Sequence, residues 1–140
     1  MDFYNNMSAG KLSSLDAIIT KAMLQMGFSP ANNGYYFLRD SIKLAYIDPE
    51  AATLITKLIY APIAKSYDTT SENIEKSIRL CVKKVWEANT KNGTGKTVAV
   101  LNNSYTFTER RPENKEIINL LCSFVKQAAD IFDADISDSI

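Results

Sequence analysis

The chain has 140 residues, of which 46% are hydrophobic and 23% charged, and it contains five glycines, four prolines, two cysteines and no histidine. This length and apolar share fit one globular domain and exclude a disordered or collagen-like chain. Without histidine, catalytic triads and histidine-ligated metal sites cannot be built from this chain alone, and no cluster pairs a nucleophile with an activating base. We therefore expect no enzymatic activity, no cofactor and no metal.

The sequence also predicts the compartment. No apolar run approaches the roughly 18 residues that span a bilayer, and the first ten residues lack the basic and apolar regions of a signal peptide. Cys81 and Cys122 lie far apart, each among apolar residues at helical spacing, which is typical of buried free thiols. We expect a cytoplasmic protein that does not bind membranes.

Charge is balanced overall but uneven along the chain. The 16 basic and 16 acidic residues cancel, yet the last eleven residues hold four aspartates and no cation. From residue 65 to residue 96 seven cations stand against four anions, a mild basic bias that suits phosphate contacts. We divide the chain into a polar leader (1–13), one domain (14–129) and an acidic tail (130–140).

The first predicted helix begins at Leu15. Apolar residues at i, i+3, i+4 and i+7 continue to Met26 and form one stripe. Ser13 and Asp16 resemble a capping box, and Gly27 supplies a left-handed stop.

Three further helices are predicted before residue 68. The second covers about 35–47. The third is capped by Asp48 and begins at Pro49, and Pro62 interrupts it and begins a short fourth helix that ends near Tyr67. The residues expected to face inward are Tyr35, Leu38, Ile42, Ala45 and Tyr46 in the second helix and Ala51, Leu54, Ile55, Leu58 and Ile59 in the third. For the aromatic cluster at 35–38, a core role is favoured over a platform for stacking bases.

A polar connector at 68–70 precedes a long fifth helix, predicted over about 71–88. Thr69 or Thr70 can cap it. Its expected inward stripe is Ile74, Ile78, Cys81, Val82 and Val85, with Trp86 beside it. A short helix, a tight polar turn and a longer helix with exposed basic residues fit a helix-turn-helix, whose second helix enters the major groove of DNA.

Three charged residues near the start of this helix share one broad face because of their spacing at i, i+1 and i+4. They are Glu75, Lys76 and Arg79. By pattern alone they are either a solvated amphipathic face or a surface that contacts DNA.

For residues 89–111 the sequence predicts a long loop or a small two-stranded ribbon. The segment from Gly93 to Thr97 contains Gly-Lys-Thr, but the phosphate-binding loop pattern needs a glycine where Thr90 stands and a strand before it, so nucleotide hydrolysis is not expected. Pro112 is expected to start the last helix, and the acidic end from Asp130 to fray. The predicted fold class is all-α, a compact bundle of about six helices with a helix-turn-helix and a loop or small β-ribbon before the last helix.

Several segments, ordered and in register, carry a family resemblance. They lie at 34–42 (GYYFLRDSI), 55–65 (ITKLIYAPIAK), 67–86 (YDTT through IEKSIR to Trp86) and 112–118 (PENKEII). They resemble the C-terminal DNA-binding effector domain of the stage-zero sporulation response regulator, over roughly residues 15–127. The resemblance implies a winged-helix-like helical domain whose helix-turn-helix binds short operator boxes, often as tandem copies.

The same resemblance places Glu75, Lys76 and Arg79 at recognition-helix positions that meet bases and phosphates. Three positions depart from the family, because Lys76 and Asn73 stand where arginine is common and Leu80 stands where histidine is common. Lysine lacks the planar fork that reads guanine bidentately, so the family's operator sequence need not apply.

The sequence thus favours a sequence-specific DNA-binding transcriptional regulator acting on double-stranded DNA. The expected base contacts are Asn73, Glu75, Lys76 and Arg79, and the expected phosphate contacts are Lys65, Thr70, Ser71, Lys83 and Lys84. A second copy of the chain, RNA polymerase and a full-length response regulator are candidate partners.

The alternative is a protein-interaction module of the same fold that has lost specific DNA binding and modulates a full-length regulator. Zero net charge and the altered recognition positions favour it. Because the chain leaves no room for a preceding receiver domain, control by aspartyl-phosphate in cis is not expected. Residues 89–103 match poorly the region that approaches a sigma factor in the family, so repression, competition or an architectural role is open.

Overall fold

A computed structural model of the protein describes residues 9–91 and 95–138, with side chains over 14–91 and 95–130. Most of this part of the chain is helical, and a two-stranded antiparallel sheet precedes the last helix. The elements are α1 (Ala9–Met26), α2 (Gly34–Ile47), a 3-10 helix (Pro49–Leu54), a π-helix (Thr56–Tyr60), α3 (Ala61–Ser66), α4 (Ser71–Asn89), β1 (Thr97–Val100), β2 (Asn103–Thr106) and α5 (Asn114–Asp138). The predicted helical fold class is confirmed, and residues 97–106 form the ribbon rather than a loop.

The core is built around α2, which contacts α1, α4 and α5. Its residues Tyr35, Leu38, Ile42, Leu44 and Ala45 are buried, and each neighbouring helix contributes a buried stripe. The largest fully buried side chains are Ile19, Met23, Met26, Leu38, Ile42, Ile59, Ile63, Ile74, Ile78, Ile117, Ile118 and Leu121. One continuous core of this kind holds α4 in a fixed position relative to α2 and α5.

Helix α1 begins earlier than the sequence predicts. It is already helical at Ala9, so Ser13 lies within the helix and the predicted capping box is wrong. Asp16 instead forms an ion pair with Lys43 of α2, whose buried ammonium needs an opposite charge. Gly27 ends the helix as predicted, with a φ of +109° and its N–H directed at the carbonyls of the preceding turn.

The segment 49–66 is not the pair of regular helices that the spacing predicts. Asp48 does cap Pro49–Leu54, accepting a hydrogen bond from the Glu50 N–H at 3.2 Å, but this turn is a 3-10 helix. A π-helix, Thr56–Tyr60, follows, in which the Ala61 N–H donates to the Thr56 carbonyl, and Pro62 lies in the first turn of α3. Neither helix type has 3.6 residues per turn, so the predicted stripe does not stay inside. Leu54 and Leu58, predicted to face inward, are 55% and 37% exposed.

Helix α5 differs from the predicted last helix at both ends. It begins at Asn114 rather than at Pro112, and it continues to Asp138, so the predicted fraying from Asp130 is wrong. No proline or glycine interrupts residues 114–138, which lets the backbone bonding continue. Residues 1–8 of the predicted leader and Gly93 and Thr94 lie outside the described residues.

The two cysteines are buried and unpaired, as predicted. Burial raises the pKa of the Cys81 thiol to about 11 and also raises the pKa of Cys122. Within the described ranges, no group of acidic residues and cysteines could hold a metal ion, and no helix is long and apolar enough to cross a membrane.

Candidate nucleic-acid interface

Helices α3 and α4 are joined by a four-residue turn, 67–70, in the arrangement of a helix-turn-helix. The Tyr67 N–H donates to the Ile63 carbonyl at the end of α3, and the Thr69 N–H reaches back to Ala64 at 2.8 Å. Asp68 takes a φ of +54°, a left-handed conformation that aspartate tolerates better than most residues. The chain therefore reverses sharply just before the long helix begins.

The start of α4 is fixed by side-chain hydrogen bonds from the turn. Thr70 is the N-cap, and its Oγ1 accepts from the Asn73 N–H at 3.1 Å. The Asn73 side-chain Nδ2 donates to Thr69 Oγ1 at 2.9 Å. Of the two threonines predicted as caps, Thr70 fills that role, and Thr69 holds the amide of Asn73.

The turn is also anchored to α2 by a buried carboxylate. Asp40 is only 6% exposed, and one of its oxygens accepts from Tyr67 Oη at 2.6 Å. Its other oxygen lies 3.0 Å from Arg39 Nη2, and the Tyr67 ring packs edge-on against Phe37. Together these contacts tie the first residue of the turn to α2.

The inner face of α4 is the buried stripe predicted from periodicity. It consists of Ile74, Ile78, Cys81, Val82 and Val85. Two further contacts set its position. At the start of α2, Gly34 lies so close to α4 that a Cβ there would come within 2.6 Å of the Ser77 carbonyl carbon. From α5, Asn114 Nδ2 donates to the Glu75 backbone carbonyl at 3.0 Å and to Tyr60 Oη at 3.3 Å.

The outer face of α4 is the opposite, uncovered side of the same helix. Its exposed residues are Glu72, Asn73, Lys76, Arg79, Leu80, Lys83, Lys84 and Glu87. Because no other part of the described chain covers this face, the helix is accessible to the major groove of DNA, which is wide enough to admit an α-helix.

Ion pairs within α4 organise several of these side chains. Arg79 Nη1 donates to both carboxylate oxygens of Glu75, at 2.7 and 2.6 Å, and both side chains stay more than 40% exposed. Lys83 lies 3.7 Å from Glu87. Among the described residues, no ion pair or hydrogen bond engages the exposed Lys76 side chain.

The predicted site residues therefore fall on one continuous stretch of the fold. Asn73, Glu75, Lys76 and Arg79 occupy the first half of α4, with Glu75 at its flank beside α5. The predicted phosphate contacts lie around them: Thr70 and Ser71 at the start of α4, Lys83 and Lys84 farther along it, and Lys65 in the last turn of α3.

Three features of the site carry no local sequence signal. The Asp40–Tyr67 hydrogen bond and the Asn114 bridge join residues far apart in the chain. The third is a hollow of about 390 Å³ between residues 31–34 and α4, lined by Ser77, Leu80 and Lys84, whose Nζ donates to Asn32 Oδ1 at 3.1 Å. Such contacts depend on how helices pack, which periodicity does not specify.

One comparison with known proteins places this geometry in a family. Residues 19–125 match the family described as "Sporulation initiation factor Spo0A C terminal", a span that runs from α1 into α5 and includes α3, the turn and α4. This family is one of helical DNA-binding domains of transcription regulators, and it is not a family of enzymes. The chain belongs to the Spo0A C-terminal family, and it is a DNA-binding domain of a sporulation regulator.

Proposed function

We propose that this domain is a sequence-specific transcriptional regulator that lays α4 in the major groove of DNA, residues 71–88 serving as the recognition helix. The observation that carries the proposal is the open outer face of α4, with four cations on one exposed surface, Lys76, Arg79, Lys83 and Lys84. An α-helix fits the major groove, where each base pair presents a distinct pattern of donors and acceptors.

The contacts divide by their place on the helix. Asn73, Glu75, Lys76 and Arg79 lie near the start of α4, the part of a recognition helix that meets base edges. The phosphate contacts are assigned to Lys65, Thr70, Ser71, Lys83 and Lys84, which flank that region. Phosphate contacts position the protein, and base contacts give the sequence preference.

The test is selection of duplexes from a random pool, followed by titration of the enriched duplex and a scrambled one at two salt concentrations. Replacing Arg79 by alanine should cost about 1–3 kcal/mol on the enriched duplex and reduce the preference over the scrambled one. Replacing Lys84 by alanine should weaken both duplexes alike and reduce the salt slope by about one.

Lys21→Ala is the matched control, since Lys21 is an exposed lysine on α1 and should leave both quantities unchanged. Each variant is compared with the unaltered domain by thermal unfolding, so that a loss of binding is not a loss of fold. Weak binding that does not distinguish the two duplexes would contradict the proposal.

One observation favours the second candidate, an interaction module that has lost specific DNA binding. Three of the four proposed base-contact residues are engaged within the chain, because Arg79 and Glu75 pair with each other and the Asn73 amide donates to Thr69. In that case the selection enriches no sequence, and binding to a full-length response regulator is the activity to measure. Tandem binding with a second copy and contact with RNA polymerase stay predictions from the family resemblance.

A further inference from the structure

Leu80 is an apolar residue in the middle of the outer face of α4. Its side chain is 47% exposed and takes no part in the core. Helical spacing places Lys76 one turn before it and Lys83 and Lys84 one turn after it, and all three are exposed. Leu80 also lines the hollow beside residues 31–34, and its exposed part lies among these lysines outside the hydrophobic core.

The surrounding charge indicates what approaches Leu80. Three lysines within one turn attract the phosphates of DNA, and the same helix is the one assigned to the major groove. Leucine has no donor or acceptor for base edges, and the apolar group that base pairs present in this groove is the C5-methyl of thymine. We propose that Leu80 packs against a thymine methyl and is a specificity-determining residue of the operator. This inference rests on the proposed function.

The surface around Leu80 does not fit an apolar protein partner. In the described part of the chain, the other exposed large apolar side chains lie off α4, on α1, α2, the 3-10 and π-helices and the turn. A protein interface needs a contiguous apolar centre, whereas Leu80 is one apolar residue among lysines. A single methyl group beside a phosphate backbone matches that composition.

The experiment removes the C5-methyl group of thymine and leaves the rest of the base unchanged. The duplex enriched by selection is synthesised with deoxyuridine in place of each thymidine in turn, which keeps base pairing and all hydrogen-bonding groups. For the unaltered domain, one or two of these substitutions should weaken binding about fourfold, the effect of one buried methyl group. Leu80→Ala should bind the thymine and uracil forms equally, and Leu80→Met should keep the difference.

Leu54→Ala is the control, because Leu54 is similarly exposed but lies off α4, and it should keep the thymine preference. If selection enriches no sequence, the proposed function fails. If a sequence is enriched but uracil binds as well as thymine at every position, the proposed function stands and the role of Leu80 is overturned. The same conclusion follows if the enriched sequence contains no preferred thymine, or if Leu80→Ala still binds the thymine form better than the uracil form.

Discussion

The two faces of α4 are built in different ways. The inner face buries five apolar side chains and meets α2 where Gly34 leaves no room for a Cβ. The outer face is exposed, and its ion pairs join residues one turn apart on the helix itself. The inner face is held by buried contacts with other elements, whereas the bonds of the outer face lie within α4, apart from those of Asn73 with Thr69 and of Lys84 with Asn32.

This difference separates stability from recognition along a single helix. Close packing on the inner side contributes most of the free energy that fixes α4, since buried contacts resist any change in volume. Exposed ion pairs contribute little because water and salt screen them. Substitutions on the inner face should therefore change the free energy of unfolding. Substitutions on the outer face should change the DNA sequence that the domain prefers.

The largest expected effect is at Gly34. An alanine Cβ there would lie 2.6 Å from the Ser77 carbonyl carbon and 3.0 Å from the Ile78 nitrogen, so α2 and α4 must move apart. We expect Gly34→Ala to lower the free energy of unfolding by up to about 3 kcal/mol, although alanine favours helices. Urea unfolding measures it, with exposed Asn33→Ala as the control. A variant as stable as the original would show that this close approach is not needed.

A smaller effect is expected at Tyr67, which links the turn to the core. Phenylalanine keeps the ring contact with Phe37 but removes the hydrogen bond to buried Asp40. We expect Tyr67→Phe to cost about 1–2 kcal/mol of unfolding free energy, as for a partly buried hydrogen bond to a charged group. The control is Tyr36→Phe on α2, which should unfold as the original does. Equal losses in the two variants would contradict the anchoring role.

The smallest stability effect is expected at Glu75, where the outer face is tested. Glu75→Gln removes the exposed pair with Arg79, so the unfolding free energy should change by less than about 0.5 kcal/mol. The sequence enriched by selection should nevertheless change, because Arg79 is released toward DNA. Glu87→Gln, which removes the partner of Lys83, should leave that sequence unchanged. A large loss of stability in Glu75→Gln would remove the distinction between the two faces.

The sequence predicts what depends on regular periodicity. The stripe from Ile74 to Val85 follows the α-helical repeat, and the Thr70 cap follows from its hydroxyl before an apolar run, so both are confirmed. The spacing at 49–60 misleads because the chain there forms a 3-10 helix and a π-helix, which do not follow the α-helical repeat and leave Leu58 exposed. The Asp40–Tyr67 bond was not predictable, since it joins residues of different helices through packing.

The close approach at Gly34 has a consequence for how such domains diverge. At this point α2 meets the backbone of α4, so this one contact does not depend on which side chains α4 carries on its outer face. The residues that face outward can then be substituted one by one while the position of the helix stays the same. Under the proposed function, substitutions on the outer face would then alter the DNA preference of the domain without altering its fold.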